Sequence, residues 1–415
     1  MSDVASLNIL HVMRAPVGGL FRHVVDLARG QVARGHKVGV IADSSTGGAQ
    51  AEATLAALAR DLELGLTRVP MSRHIGKGDF AVVAHMSRRA NEVTADVIHG
   101  HGAKGGAYAR LAKPPALRRT LGKAIRVYTP HGGSLHYRWG SPVGLLYLAA
   151  ERALNGRTDL FLFESAYGRD VFIAKVGEPG ALVKVVHNGV TEPEFQPVVP
   201  VEDATDLLFI GELRALKGVD VLIRAVKELS TGGRKITATI VGDGPDRARF
   251  EDDVAKQSLA EAVHFVGAKP ARSAFALGRL LVVPSRAESL PYIVLEAAAV
   301  GLPMIATNVG GIPEIFGPDA RALVPPGDAK ALAAAISQSM QDRGARHSAS
   351  LRLKARVRAS FSAHVMTDAV IAGYREALAR VPAKACPGPR SGVGTGPLIT
   401  DTHRSKPASQ WLGAP

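Results

Sequence analysis

The chain is almost without cysteine. Its one thiol, Cys386, in 415 residues excludes a disulfide framework and any cysteine-built zinc cluster, and fits a reducing compartment. Aromatic residues make up only 5%. They are missing from the most basic stretch, "KPPALRRTLGKAIR", where stacking on nucleic-acid bases would need them. Long apolar runs are missing too. "VGLLYLAA" and "LLVVP" fall far short of the roughly 20 residues that cross a bilayer as a helix. The start, "MSDVASLNILHVMRAPVGG", has no basic segment followed by an apolar run, so no signal peptide is expected and a soluble, cytoplasmic chain is.

Acid is absent from Val97 to Ala150, although the same stretch carries Lys104, Arg110, Lys113, Arg118, Arg119, Lys123, Arg126 and Arg138. The whole chain has a formal charge of +14. Unopposed cations interleaved with Leu, Ala and Ile fit an anionic membrane surface better than nucleic acid, given the lack of stacking residues. Pro114 and Pro115 can start a helix that puts Leu117, Leu121 and Ile125 on one face, with the cations around its flanks. The plainer reading packs that face inward and leaves the cations solvated.

What the chain does have is alternation. "LNILHVM", "KVGVIA", "VIHGH", "VYTPH" and "LFLFES" read as buried strands, separated by amphipathic stretches such as "FRHVVDLARGQVARG". The pattern restarts with "DLLFIG", "TATIVGDG", "VHFVGA", "RLLVVPS" and "PMIAT". Length and repetition predict an α/β protein with two Rossmann-like domains, each a parallel sheet covered by helices. The expected divisions are a first domain over 1–195, a Pro- and acid-rich linker near 192–205, and a second domain over 205–365. A helix over 366–381 should return to the first domain, and the Pro/Gly/Ser-rich segment 382–415 should be disordered.

The most informative stretch is "SRAESLPYIVLEAAAVGLPMIATNVGGIPEI", residues 285–315. A strand leads into a loop with Glu288, Pro291 suits the first turn of a helix, and Gly301 suits its left-handed cap. Glu296 then lies inside the helix. Free amides at Ser289 and Leu290 make an anion site at the helix start. Two glutamates beside an anion site are consistent when the carboxylates accept from hydroxyls and the amides take phosphate, the chemistry of a nucleotide sugar. In "IGELRALKGVDVLIRAV", Arg214 and Lys217 sit in a strand-to-helix turn and can converge on a diphosphate. Gly244 in "VGDGP", and Gly18 with Gly19 in "APVGGLFRH", supply turns that allow close approach of a ligand. "HGHGAKGG" and "YTPHGGSLHYRWG" place His99, His101, His131 and His136 at strand ends. His131 is the best of these for a sugar contact, and without nearby cysteine or acid no metal site is expected.

Together the glycine pair after the first strand, "TPHGG", "HNGV", "GELRALKG", "VGDGP" and the Glu288-x7-Glu296 segment resemble the retaining GT-B glycosyltransferases of family 4, over residues 8–380. The resemblance implies two Rossmann-like domains whose parallel sheets face across a cleft, closing on a nucleotide-sugar donor, a UDP-sugar in the simplest case, with no metal and no cofactor. It further implies that Glu296 holds the ribose diol and Glu288 the transferred sugar. Ser289, Leu290 and Pro291 would form the diphosphate turn, Arg214 and Lys217 would neutralise the leaving diphosphate, and His131 would lie near the anomeric centre. The acceptor would be a glycolipid or polyprenyl-diphosphate-linked glycan of exopolysaccharide or lipopolysaccharide synthesis, met on the cytoplasmic face of the inner membrane. Glu212 stands where many members carry arginine, and Leu290-Pro291 replaces their Phe-Gly. Two other readings remain open from the residues themselves: a sugar-nucleotide epimerase and a basic nucleic-acid-binding protein.

Overall fold

The structure, a computed structural model, describes residues 5–113, 124–137 and 139–380. Residues 114–123 of the expected amphipathic helix, Arg138 and the segment 382–415 lie outside the described residues; Ile125, expected on that helix's apolar face, instead opens the strand Ile125–Thr129 and is fully buried.

Two parallel sheets organise the chain. The first contains β1 (Asn8–Met13), β2 (Lys37–Asp43), β3 (Leu66–Val69), β4 (Val97–His101), β5 (Ile125–Thr129), β6 (Leu160–Phe163) and β7 (Leu182–Val185). Their order is β3-β2-β1-β4-β5-β6-β7. The second contains β8 (Thr205–Ile210), β9 (Ala238–Val241), β10 (Val263–Phe265), β11 (Gly278–Val283) and β12 (Met304–Ala306), ordered β10-β9-β8-β11-β12. The central strands are buried on both faces, which is why they read as nearly continuous apolar runs. In each sheet the order reverses beside its first strand, between β1 and β4 and between β8 and β11. Open α/β sheets bind ligands at the carboxyl ends of such switch points.

The chain passes between the sheets twice, and the two passages are zipped together. Val190 N donates to Phe361 O (2.9 Å) and Ala363 N donates to Val190 O (2.8 Å). Gly189 is required here, because a Cβ would come within 2.6 Å of the Ser362–Ala363 backbone. A capping box of Thr191 and Glu194 then starts a short 3-10 turn, Glu192–Phe195. The last helix, Ala363–Arg380, lays Met366, Val370, Tyr374 and Ala377 into one core with Ile9, Val97, Val127 and Leu160 of the first sheet.

Two cations of the acid-free basic stretch, Lys104 and Arg110, are paired inside the fold rather than presented to solvent. Lys104 is buried and donates to Asp79 Oδ1 (2.7 Å), and Arg110 is fully buried. Arg110 Nη2 donates to Glu151 Oε2 (2.8 Å), its guanidinium lies 3.8 Å from the Tyr128 ring centroid, and Tyr128 OH donates to Glu151 Oε1 (2.7 Å). Glu151 is the first acid after the stretch, and Asp79 comes from an earlier helix, so for these two cations a partner absent from the neighbouring sequence is supplied in space. Arg110→Met keeps most of the volume but breaks a fully buried ion pair with Glu151. Its expected cost is about 3–5 kcal/mol, read as a fall in the urea midpoint; a parental midpoint would show that the pair does not hold this layer.

Candidate functional site

β11 runs into the loop Pro284–Pro291, and the helix Tyr292–Val300 follows. Pro291 stands at the cap itself (φ −73°, ψ 124°), one residue before the first helical turn, and Gly301 closes the helix at φ 82°. One helical face, including Val294, Leu295, Ala298 and Ala299, is buried, while Glu296 is turned into a cavity of about 530 Å³. The loop is pinned from beneath by the turn after β12. A Cβ on Gly310 would come 1.8 Å from Glu288 O, and Gly311 N donates to Ser289 O (2.6 Å). Those two glycines let the turn approach closely enough to fix Glu288 and Ser289.

Glu288 Oε1 accepts from Lys217 Nζ (2.7 Å) and from Ser285 Oγ (2.7 Å). Lys217 reaches it because Gly218, at φ 71°, presses the turn after β8 onto Pro284; a Cβ there would sit 2.0 Å from Pro284 O. The lysine and the carboxylate therefore form an ion pair.

The first sheet supplies the opposite wall. Gly18 and Gly19 open the helix that follows β1, and a Cβ on Gly19 would lie 3.1 Å from the Tyr292 ring. His131 follows β5 at φ 50° and lines the same cavity. Burial pushes its imidazole down to about 3, so it is neutral at pH 7. Glu164, just past the end of β6, is buried in the cleft wall and accepts from Ser289 Oγ at 2.5 Å. Burial raises its carboxyl, against the opposing hydrogen bonds of Ser289 and of the His131 and Gly132 amides. Arg22, on the first helix, pairs with Glu296 and with Glu194, and its guanidinium lies 4.4 Å from the Tyr292 ring centroid.

The cavity thus brings together Gly18, Gly19, His131, Lys217, Glu288, Ser289, Leu290, Pro291 and Glu296. Two expected members are not among its lining residues. The Arg214 side chain is 54% exposed and sits 3.5 Å from Glu212, so it does not converge with Lys217. Gly244 is packed on the Leu213 backbone, with its Cβ position 2.5 Å from Leu213 O. The side chain of His136 lies outside the described part. A further cavity, about 610 Å³, includes Asp206, Arg279 and Pro303 at the amino ends of β8, β11 and β12, the wrong ends for a ligand of such sheets.

Residues 17–192 match the family described as Glycosyltransferase Family 4, and residues 190–356 match that described as Glycosyl transferases group 1. The chain belongs to the family 4 glycosyltransferases. Its two sheets are the two Rossmann-like domains of the GT-B fold, facing across a cleft. It is similar to a subunit of the phosphatidylinositol N-acetylglucosaminyltransferase of Arabidopsis thaliana, 28% identical over 262 residues, covering 60% of this chain and 55% of that one. It is also similar to the amylovoran biosynthesis glycosyltransferase of Erwinia amylovora, 29% identical over 204 residues, 46% of this chain and 50% of that one. The chain thus spans about half the length of each of these relatives. In fold it resembles Anabaena HepE in complex with UDP, with a TM-score of 0.70, 19% identity, and coverage of 90% of this chain and 100% of that one.

Glu164, Asn188 and Tyr292 also line the cavity around Glu288 and Arg22 adjoins it through Glu296, and none of the four was expected from the sequence. Two had a signal. Arg22 is a cation near a helix start, where the dipole disfavours it unless an acid comes from elsewhere. Glu164 is an acid at the carboxyl end of an otherwise apolar strand.

Proposed function

We propose that the protein is a retaining hexosyltransferase that moves a sugar from a UDP-sugar to a membrane-linked glycan acceptor in bacterial exopolysaccharide or lipopolysaccharide synthesis, without a metal in the reaction. The observation that carries the reading is the cavity itself, in which Glu288, Glu296, Lys217 and the loop amides of one domain face His131 and the Gly18-Gly19 turn of the other. The names of the Erwinia relative and of the UDP-bound Anabaena structure support the polysaccharide and the nucleotide, respectively.

In this reading Glu296 accepts from the ribose hydroxyls, which must displace Arg22. Glu288 accepts from the sugar, and Lys217 shifts from Glu288 toward the diphosphate as negative charge develops there. Fixed cations and amides stabilise that charge more in the transition state than in the ground state. Front-face attack, with the leaving phosphate taking the acceptor proton, retains the anomeric configuration. Closure about the paired passages at 190 and 362 excludes water and limits hydrolysis. The basic charge of the chain suits a peripheral enzyme on the cytoplasmic face of the inner membrane, although no membrane contact rests on the described residues; among them no helix is long and apolar enough to cross a bilayer.

The test is incubation of the purified protein with radiolabelled UDP-, GDP- and ADP-sugars and a membrane lipid extract. Transfer into the lipid phase from one donor is expected; epimerised nucleotide without transfer would overturn the reading. Activity should survive EDTA, and Lys217→Ala should lower kcat by about 10²–10³-fold, the range seen when one oxyanion-stabilising donor is lost. Complete inhibition by EDTA that Mg²⁺ reverses would replace the lysine by a metal in this role.

A further inference from the structure

Behind the cavity wall lies a cluster of imidazoles, of which only His131 lines the cavity itself. His11 on β1, His99 and His101 on β4, His23 on the first helix and His131 after β5 pack with ring centroids 3.9–5.7 Å apart, counting the Tyr374 ring that closes the group. The hydrogen-bond partners fix which nitrogens carry protons. Asn188 Nδ2 donates to Leu290 O (3.1 Å), which turns its Oδ1 toward His23 Nδ1 (3.0 Å) and makes that nitrogen the donor. His23 Nε2 is left with a lone pair, buried and with no hydrogen-bond partner among the described residues. On the other side, His11 Nε2 lies 2.7 Å from Gln31 Oε1 and donates to it. His11 Nδ1 must then accept from His101 Nε2 (2.9 Å), which leaves His101 Nδ1 with a lone pair, 3.1 Å from His131 Nε2.

An unpartnered lone pair on a buried ring is costly, and here it is one of three nitrogens gathered in one place. We propose that His23, His101 and His131 form a binding site for a transition-metal cation, with Zn²⁺ the best fit. Their ligand atoms lie within 4.8 Å of one another. A tetrahedral zinc with Zn–N bonds of about 2.0–2.1 Å needs nitrogens about 3.4 Å apart, so the rings have to close by only about an ångström. Two of the three already have the outer partner that metal-bound histidines use, since His23 Nδ1 donates to Asn188 and His101 Nε2 to His11. Binding costs one bond, the His131–His101 contact, and a proton shift to Nδ1 of His131. The alternative trio of His11, His99 and His101 is a poorer site, because a metal there would break bonds from His99 to Tyr374 (2.6 Å) and Thr129 (2.8 Å) and from His11 to its partners. A cavity of about 220 Å³ is lined by His101 and His131 together with Arg14, Arg73 and Lys104, and leaves room for a water as fourth ligand.

The site is tested without any sugar donor, so it stands or falls separately from the proposed transfer. Untagged full-length protein, stripped by chelator dialysis, is titrated with ZnCl₂ by calorimetry at pH 7.5. One zinc per chain is expected, with an X-ray absorption spectrum showing imidazole nitrogens at about 2.0–2.1 Å. His23→Gln and His131→Gly should each weaken binding beyond the roughly 100-fold that loss of an outer partner reaches, and Asn188→Ala by about 10–100-fold. His131→Gly guards against a folding artefact, because glycine accepts the φ of 50° that histidine holds there. Absence of stoichiometric zinc, or parental affinity in both histidine variants, would overturn the site and leave the cluster a buried polar layer.

Discussion

Glu288→Ala is expected to abolish measurable transfer while the protein still binds UDP about as tightly as before. Glu288 does not face the nucleotide in the proposed reading; it meets the sugar, and its Oε1 accepts from Lys217 and Ser285. Losing one hydrogen bond to a charged group costs about 1.5–3 kcal/mol, and more when the bond strengthens as the sugar becomes cationic. The alanine also frees Lys217 for the diphosphate, which offsets any loss of nucleotide affinity. Glu296→Ala should behave differently, weakening UDP itself, because its carboxylate is the ribose partner. Calorimetry with UDP and a transfer assay on both variants separate the two roles. Equal loss of UDP affinity in both would reverse the assignment of Glu288.

Stability should fall steeply as the pH drops from 6.5 to 4.5. His11, His23, His99 and His101 are between 0% and 3% exposed. Burial lowers the protonation of all four, that of His11 to about 4. Below pH 6.5 the unfolded chain binds these protons and the fold does not, so stability that is complete above pH 6.5 is lost on acidification at about 1.4 kcal/mol per histidine per pH unit. Two acids work the other way. Burial raises Asp26 to about 6 and raises Glu164, so the folded chain takes up those protons first. His131, lowered to about 3, adds a fifth histidine on the side lost to acid, so the unfolded chain binds more protons than the fold across the window and stability falls on the order of several kcal/mol. Urea unfolding at pH 7.5, 6.5, 5.5 and 4.5 measures it. A midpoint that stays level would mean that the imidazoles charge inside the fold.

The features legible in the chain were those set by neighbours in sequence. The loop and helix around Glu288 and Glu296 are bracketed by Pro291 and Gly301, and Lys217 precedes a glycine whose left-handed turn aims it. Arg214 and Gly244 have similar local surroundings, but cavity membership depends on which way a turn faces once packed, and no local pattern carries that. β3 and β7 escaped because "LTRV" and "LVKV" are short, half-buried edge strands with a cation inside each. Arg22 reaches Glu296 across 274 positions and Ser289 reaches Glu164 across 125, so these contacts exist only after the two domains meet. His11 and His23 were not read with the other histidines for the same reason. His11 and His99 are register partners on adjacent strands, which their wide separation along the chain conceals.

The closing helix, Ala363–Arg380, has a consequence for the order in which the protein is made. A ribosome releases residues 205–360 before that helix, so the second sheet has its whole sequence available while the first still lacks a wall. Until Tyr374 arrives, His99 has no partner for its Nδ1, and Val97, Val127 and Leu160 face the gap left by Met366 and Val370. Vectorial synthesis ordinarily lets the N-terminal domain finish first. Here the half that is translated first is completed last, and its apolar face stays open to chaperones throughout the synthesis of the other.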